Sequence, residues 1–522
     1  MSRHLFAGTA RMSTEIELKL SVPAARAGML WKTRALARLP HAPPMTRRLF
    51  SAYYDTKDFA LHAAGVTVRL RREAGRWVQT VKGGGEASGG LHSRSESEER
   101  VPAQLLNLPA LAQAGLGELL ERGALHRGLG VVFATQVRRT TTMVEPLPGS
   151  RVELSLDRGE IVAGVRREPL CEIELELKSG STDALFSLAS ALAHELPLRL
   201  DNASKAQRGY RLAIGERATP AKAAPVALPG SATVDEGFRT VAFACLQQLQ
   251  ANESGVLHSP DPEYVHQARV ALRRLRSAFT AFSGAVPKDF FSAQFGALRA
   301  LAATLGEARD WDVFVGQTLR QAAGGGAIPA ALARLKRRAA AQRRRARSAA
   351  KQALENADYT LLLIDLVRML HAGDWVRSRT PEQAQAARED LARFAARSLA
   401  RRDARLRSRA DEAEDCDPAA VHRLRIEAKK LRYACEFFGG LFAHKKVRGY
   451  LSRLLDLQEL LGAVNDAATT HRLLETLAER GAKSDCADAL SFLHGYTAAR
   501  MQARLDALPA ALGAVVRAKP FW

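Results

Sequence analysis

EIELKL at 15–20 and EIELEL at 172–177 decide how the first half of this chain is read. In both, Ile and Leu alternate with charge, the period of a strand with one apolar face. The opposite face carries Glu15, Glu17 and Lys19 in the first copy and Glu172, Glu174 and Glu176 in the second. Working outward, the same alternation predicts strands at 15–21, 49–55, 66–72, 76–82, 93–100, 136–144, 151–157 and 170–178. Several are joined by short turns such as EAGR at 73–76. Helical patches are predicted at 23–39 and 104–127. Eight mostly antiparallel strands suit a closed barrel.

The charges are sorted by strand. Thr67, Arg69 and Arg71 share one face of 66–72, and Thr80 aligns with Lys82. Arg94, Glu96 and Glu98 line up on 93–100, Glu153, Ser155 and Asp157 on 151–157, and Glu172, Glu174, Glu176 and Lys178 on 170–178. An ordinary barrel with an apolar core and charges facing water needs no such sorting, and like charges side by side are mildly destabilising. Something must compensate the acidic and the basic clusters. Divalent cations suit carboxylates. Phosphates suit arginines, which contact them bidentately. Such a barrel would hold a phosphate chain between basic walls and a wall of carboxylates carrying Mg²⁺ or Mn²⁺. The metals would neutralise phosphoryl oxygens and acidify a water for in-line attack, with no Cys or Ser nucleophile.

The chain has 522 residues, is 47% hydrophobic and carries a formal charge of +22. That length allows two or three domains, and that charge suits polyanionic partners. Up to residue 215 there are 30 Lys+Arg against 22 Asp+Glu, and beyond it 47 against 33, so both halves are basic. Cys171, Cys245, Cys416, Cys435 and Cys486 form no CxxC pair, so a zinc site or disulfide framework is not indicated and a cytoplasmic setting is expected. No apolar run approaches the ~20 residues of a membrane span. The leader MSRHLFAGTAR lacks an apolar segment and is not read as a secretory signal. Met12 is a candidate start.

Residues 216–231, with three prolines, have linker composition. Beyond them, Ala, Leu and Arg dominate at helical spacing. VHQARVALRRLRSAF from Val265 and VHRLRIEAKKLRYAC from Val421 are offset by 156, as are LGEARDWD at 305 and LGAVNDAA at 461. This half is therefore read as two repeated helical bundles, about 232–385 and 386–515. Arg269, Arg273 and Arg276 follow His266 near one helical face. Arg425, Lys429 and Arg432 follow His422 likewise. Two such helices would line a groove for a polyanion; the competing reading is a solvated basic face. The histidines would donate to phosphate or serve packing. The run RLKRRAAAQRRRARSAAK at 334–351 is read either as an exposed helix or as a further polyanion site.

Residues 15–211 resemble the CYTH superfamily, the triphosphate tunnel metalloenzymes. The resemblance rests on the ExExK of Glu15, Glu17 and Lys19. It continues through YYDT at 53–56, RLR at 69–71, TVK at 80–82, RSESE at 94–98, Arg138 and Arg139, Asp157, EIELE, and SKAQRGY at 204–210. It implies an eight-stranded tunnel that hydrolyses or cyclises triphosphates with Mg²⁺ or Mn²⁺. It implies metal ligands at Glu15, Glu17, Asp157, Glu174 and Glu176, with Glu172 beside them. Phosphate contacts are implied at Lys19, Arg69, Arg71, Lys82, Arg94, Arg138 and Lys205, with Arg139 the alternative to Arg138. Glu96 and Glu98 are implied to assist the metal or the attacking water. About 232–515 resembles the CHAD domain, associated with inorganic polyphosphate. The expected architecture is thus a CYTH barrel at 12–215, a linker and an all-α domain. The expected activity is cleavage of inorganic triphosphate, with polyphosphate binding by the helices and a location at polyphosphate granules. Thiamine triphosphatase activity, class IV adenylate cyclase activity and a non-catalytic polyphosphate-binding role are the alternatives. Nucleic acid is not an expected partner, for no recognised motif accompanies the charge.

Overall fold

The computed structural model describes all residues except 1–12, 113–115, 117–127, 325–329, 414–416 and 483–485. The leader, Met12, Cys416 and most of the predicted helix 104–127 lie outside the described residues. The chain forms two compact units, Met1–Thr219 with Glu355–Arg368, and Pro220–Leu354 with Met369–Trp522.

The first unit is a closed antiparallel barrel. Its strands are β1 (Ser13–Ser21), β2 (Met45–Asp55), β3 (Val66–Glu73), β4 (Arg76–Ser88), β5 (Leu91–Val101), β6 (Gly130–Val144), β7 (Arg151–Ala163) and β8 (Arg166–Ser179). They run in the order β5-β4-β3-β2-β6-β7-β8-β1, and β5 pairs back to β1 to close the sheet. A short β9 (Arg199–Leu200) adds to β1. All eight predicted strands are present, each longer than its apolar core. The predicted helix 23–39 is instead three short turns, Ala24–Ala27, Leu30–Lys32 and Arg34–Ala37.

The barrel is inverted relative to an ordinary one. Leu18, Leu20, Leu154, Leu156, Ile173 and Leu175 alternate with the charges and are buried. They face outward, where helix α1 (Asp183–Ala193) packs on β8 and β1 with Leu185, Leu188 and Leu192 buried. Hydrophobic burial thus happens on the outside, and the ionic faces are left to line the interior.

Helix α2 (Lys205–Ile214) lies against β6, β7 and β8. Ser204 and Gln207 form a capping box that fixes its start. Gly209 allows the close approach: a Cβ there would fall 2.1 Å from the Phe133 ring. Tyr210 packs edge-on to the same ring at 5.1 Å.

The second unit is helical and repeats its order. Helices α3 (Val234–His258), α4 (Pro262–Ala281), α5 (Ser292–Val313) and α6 (Ala330–Glu355) are followed, after α7 (Ala357–Ala372), most of which belongs to the first unit, by α8 (Leu391–Asp411), α9 (Pro418–Phe438), α10 (His444–Leu477) and α11 (Ala487–Val516). Asp261 caps α4 ahead of Pro262, and Asp417 caps α9 ahead of Pro418. The offset of 156 in sequence is therefore an offset of whole helices, and α4 packs against α9.

Candidate active site

The barrel encloses a cavity of about 510 Å³. Its walls follow from register. Glu17 stands opposite Glu176, and Lys19 opposite Glu174. Glu153 stands opposite Glu176 on the other side, so three carboxylates adjoin across β1, β8 and β7. Across the interior, Arg69 is paired with Thr80 and Lys82 with Glu96. Of the predicted residues, Glu15, Glu17, Lys19, Arg69, Arg71, Lys82, Arg94, Glu96, Glu98, Glu174, Glu176 and Lys205 line this cavity.

Arg138 does not. Its side chain is exposed on the outer surface, and Arg139 takes the interior position. Arg139 donates to Asp157 from Nε at 2.7 Å and from a terminal nitrogen at 2.6 Å, and also bonds Glu174. Arg139 is opposite Asp157 in the ladder, and paired residues share a face. The assignment of Arg138 is corrected to Arg139.

Asp157 and Glu172 sit behind the cavity wall, essentially inaccessible. With Glu174 they form an acidic triad whose ligand atoms lie within 4.8 Å of one another. Its donor chemistry fits a hard divalent cation. Here the Lys205 ammonium is at its centre, 2.5 Å from Glu172, 2.7 Å from Asp157 and 2.9 Å from Glu174. Lysine at a helix N-terminus opposes the helix dipole, and three carboxylates offset this. Burial would raise the Glu174 carboxyl, but Lys19, Lys205 and Arg139 hold it well below its usual range. Burial does raise Glu172.

Nearly every cation in the cavity has a carboxylate. Lys19 is 2.7 Å from Glu174 and 3.2 Å from Glu17. Lys82 bonds Glu15 and is 3.2 Å from Glu96. Arg69 is 3.6 Å from Glu96 and 3.7 Å from Glu98. Arg71 is different. Its Nε reaches only Ser51 at 3.4 Å, and among the described residues it has no ion pair. Burial, with Arg69 and Arg139 alongside, lowers its guanidinium to about 10. It stays protonated at neutral pH, offset only in part by Asp157. Glu176 is the acidic counterpart: burial, together with Glu15 and Glu153, raises its carboxyl despite Lys178 at 2.5 Å. Glu153 was on the predicted acidic face but is in none of the family's motifs.

The helical unit holds a second candidate pocket of about 230 Å³. His266, Arg269, Arg273, Arg425 and Lys429 line it, with Arg309, Asp310 and Asp466. Arg276, Arg432 and His422 are outside it, and His422 is exposed. Arg432 instead lies over Tyr433 at 4.7 Å. Asp310 is bonded by Arg269 at 3.3 Å and Arg472 at 3.0 Å. Burial plus Arg273, Arg425, Arg269 and Arg432 lowers the Lys429 ammonium to about 6. Burial and Arg309 lower His266 to about 4.

Comparison with known proteins agrees with both halves. A family model for the CYTH domain matches residues 13–210, and one for the CHAD domain matches 240–475. A protein from Haemophilus influenzae named inorganic triphosphatase is 34% identical over 208 residues, which is 38% of this chain and 55% of that protein. The chain thus spans about half the length of this relative. The crystal structure of the CHAD domain from the plant Ricinus communis aligns with 34% identity and a TM-score of 0.50, over 58% of this chain and 99% of that one. A Hippeastrum adenylyl cyclase homologue, described as having a dominant triphosphatase activity, aligns at 21% identity and a TM-score of 0.28, over 38% and 95%. None of the described helices is long and apolar enough to cross a membrane. The chain carries a CYTH domain followed by a CHAD domain.

Proposed function

We propose that the barrel hydrolyses inorganic triphosphate to pyrophosphate and phosphate with Mg²⁺ or Mn²⁺, and that the helical unit binds inorganic polyphosphate. Arg71 carries the first reading. A half-buried guanidinium beside two other cations favours an anion, and it lines a cavity too ionic for an apolar ligand. Relatedness to an inorganic triphosphatase supports the same substrate.

Arg71, Arg94 and the free faces of Arg69 and Lys82 would hold the phosphate chain. Glu15, Glu17, Glu153 and Glu176 would hold a divalent cation, since Glu17, Glu176 and Glu153 adjoin across three strands and all four open to the cavity, whereas the closer-set triad behind the wall is filled by Lys205. The metal, when bound, supplies charge neutralisation at the phosphoryl oxygens and a more acidic water. Asp157 and Glu172 act from behind, fixing Lys205 and Arg139. Glu98 accepts from Thr80 at 3.1 Å through one oxygen. Its other oxygen makes no contact among the described residues, so it would orient the attacking water and take its proton. Glu96 holds Lys82 and Arg69 in place. Attack on the terminal phosphorus forms one P–O bond and breaks the bridging P–O bond, and pyrophosphate leaves with the electron pair.

The test is phosphate release by the full chain from inorganic triphosphate, ATP, thiamine triphosphate and long-chain polyphosphate. Inorganic triphosphate is expected to give the highest kcat/KM; faster turnover of either organic triphosphate would overturn the substrate assignment. Arg71→Met should raise the KM for triphosphate roughly 10–100-fold, the worth of a charged hydrogen bond. It should leave the melting temperature unchanged or higher, because the substitution removes repulsion. A lower melting temperature with an unchanged KM would mean that Arg71 is structural.

For the helical unit, polyphosphate binding should take up a proton at Lys429. The free ammonium titrates at about 6, and a bound polyanion raises that value. Affinity is therefore greatest near pH 6 and falls as pH rises, by at most about tenfold per unit for one proton. Titrating the full chain with long-chain polyphosphate at pH 6, 7 and 8 checks this, and Lys429→Met should flatten the slope. Burial and Arg309 hold the free His266 at about 4, so it too is neutral in this window before the polyanion binds.

A further inference from the structure

The outer wall of the barrel carries a second basic concavity, of about 790 Å³. Arg48 on β2 is directly opposite Arg138 on β6, and Arg138 is directly opposite Arg158 on β7. Three like charges in one cross-strand row are destabilising without a counter-charge. Arg72 on β3 adds a fourth. None of the four makes an ion pair among the described residues, and no carboxylate lines the concavity. Arg48, Arg72 and Arg138 are exposed.

A parallel row supplies planar groups. Phe50 is opposite Arg72, and Arg72 is opposite Trp77. The Arg72 guanidinium lies 6.0 Å from the centre of the Trp77 ring, and the Phe50 and Trp77 rings meet edge-to-face at 6.3 Å. Phe50 lines the concavity between the arginines.

We infer that this face binds a nucleoside polyphosphate. Its phosphates would lie along Arg48, Arg138 and Arg158, a row spanning about 10 Å at the strand spacing. Its base would lie on Phe50 beside Arg72, where stacking and cation–π attraction act together. A bare phosphate chain would use the arginines and leave the aromatic row idle. The volume is in the range of small-ligand sites.

The position ties the site to the tunnel. Arg47, Arg71 and Arg139 line the interior on three of the same four strands, and Asp157 sits behind the cavity wall on the fourth, each one residue from an outer arginine. An anion gathering the outer arginines constrains the strands that hold these groups. Nucleotide binding should therefore change the KM for the tunnel's substrate, a consequence that rests on the proposed tunnel function. The binding itself does not.

Calorimetry of the full chain with ATP, without metal, tests the proposal. Arg48→Ala/Arg138→Ala should lose one ATP site or weaken it at least tenfold. Arg71→Met and Lys429→Met, which alter the tunnel and the helical pocket, should each retain that site. Inorganic triphosphate should compete at this site at least tenfold more weakly than ATP. Unchanged ATP binding in the double variant would overturn the site. Equal competition by inorganic triphosphate would overturn the role of the aromatic row. Single-stranded RNA binding there more tightly than ATP would overturn a free nucleotide as the ligand. If ATP binds as expected and triphosphate is not hydrolysed, the tunnel reading fails while this site stands.

Discussion

Glu17→Gln is expected to lower triphosphate hydrolysis by about 10³-fold or more while leaving the fold intact. Glu17 adjoins Glu176 across the β1–β8 ladder and opens to the cavity. Loss of its charge weakens the carboxylate group proposed to hold the metal. Lewis-acid stabilisation is worth several kcal/mol, and each 1.36 kcal/mol is about a factor of ten. Gln keeps the shape of the side chain, and Lys19 keeps Glu174 at 2.7 Å, so thermal unfolding should change little. Calorimetric titration with Mn²⁺ gives a readout independent of turnover, and binding should weaken in parallel. Glu172→Gln is the contrast. That residue is behind the wall, and burial already favours its neutral form, so metal affinity should be largely retained. Activity within tenfold of wild type for Glu17→Gln at saturating Mg²⁺ would remove Glu17 from the metal site.

The barrel was legible because each strand announces itself twice, through apolar alternation and through the sign of the intervening charge. The inversion of the barrel was legible from sorting alone: Glu15, Glu17, Glu174 and Glu176 had to meet something other than water. The choice between Arg138 and Arg139 was not, because two identical residues carry no alternation and threonines follow on both faces. Register decides it, through the pairing of Arg139 with Asp157, and register is a property of the folded sheet. Helix α2 was missed as a helix although Ser204 and Gln207 spell its capping box. In the second half the repeat showed that His266 and His422 correspond, yet of the two His266 alone lines the basic pocket between α4 and α9. Part of that asymmetry was readable: Arg309 beside Asp310 is replaced at the matching position by Asn465. The burial of Lys429 among four arginines was not, since it depends on α4 packing against α9.

Lys205→Met is expected to destabilise the barrel by about 3–5 kcal/mol at pH 7, the usual cost of removing one partner from a buried charge cluster. For a unit of this size that is a fall in melting temperature of roughly 10 °C. The pH dependence gives the sharper test. Lys205 is held above its ordinary value by Asp157, Glu172 and Glu174, which overcome burial. Its contribution is therefore present below the unfolded lysine range and lost as pH rises through its folded value. Asp157 and Glu174 are held low chiefly by cations that overcome burial, so their contribution is present above the unfolded carboxylate range and lost as pH falls. In the variant the triad has lost its central cation, and a proton is the available substitute. The deficit relative to wild type should therefore shrink between pH 7 and pH 5. An equal deficit at both, or one below about 1 kcal/mol at pH 7, would mean that the ammonium is not the cluster's counter-charge. A divalent cation is the other substitute, because the three carboxylates already present converging oxygens. Mn²⁺ should then raise the melting temperature of Lys205→Met more than that of wild type, by an amount growing with the logarithm of its concentration. Equal Mn²⁺ shifts in both proteins would place metal binding entirely on the cavity-facing glutamates.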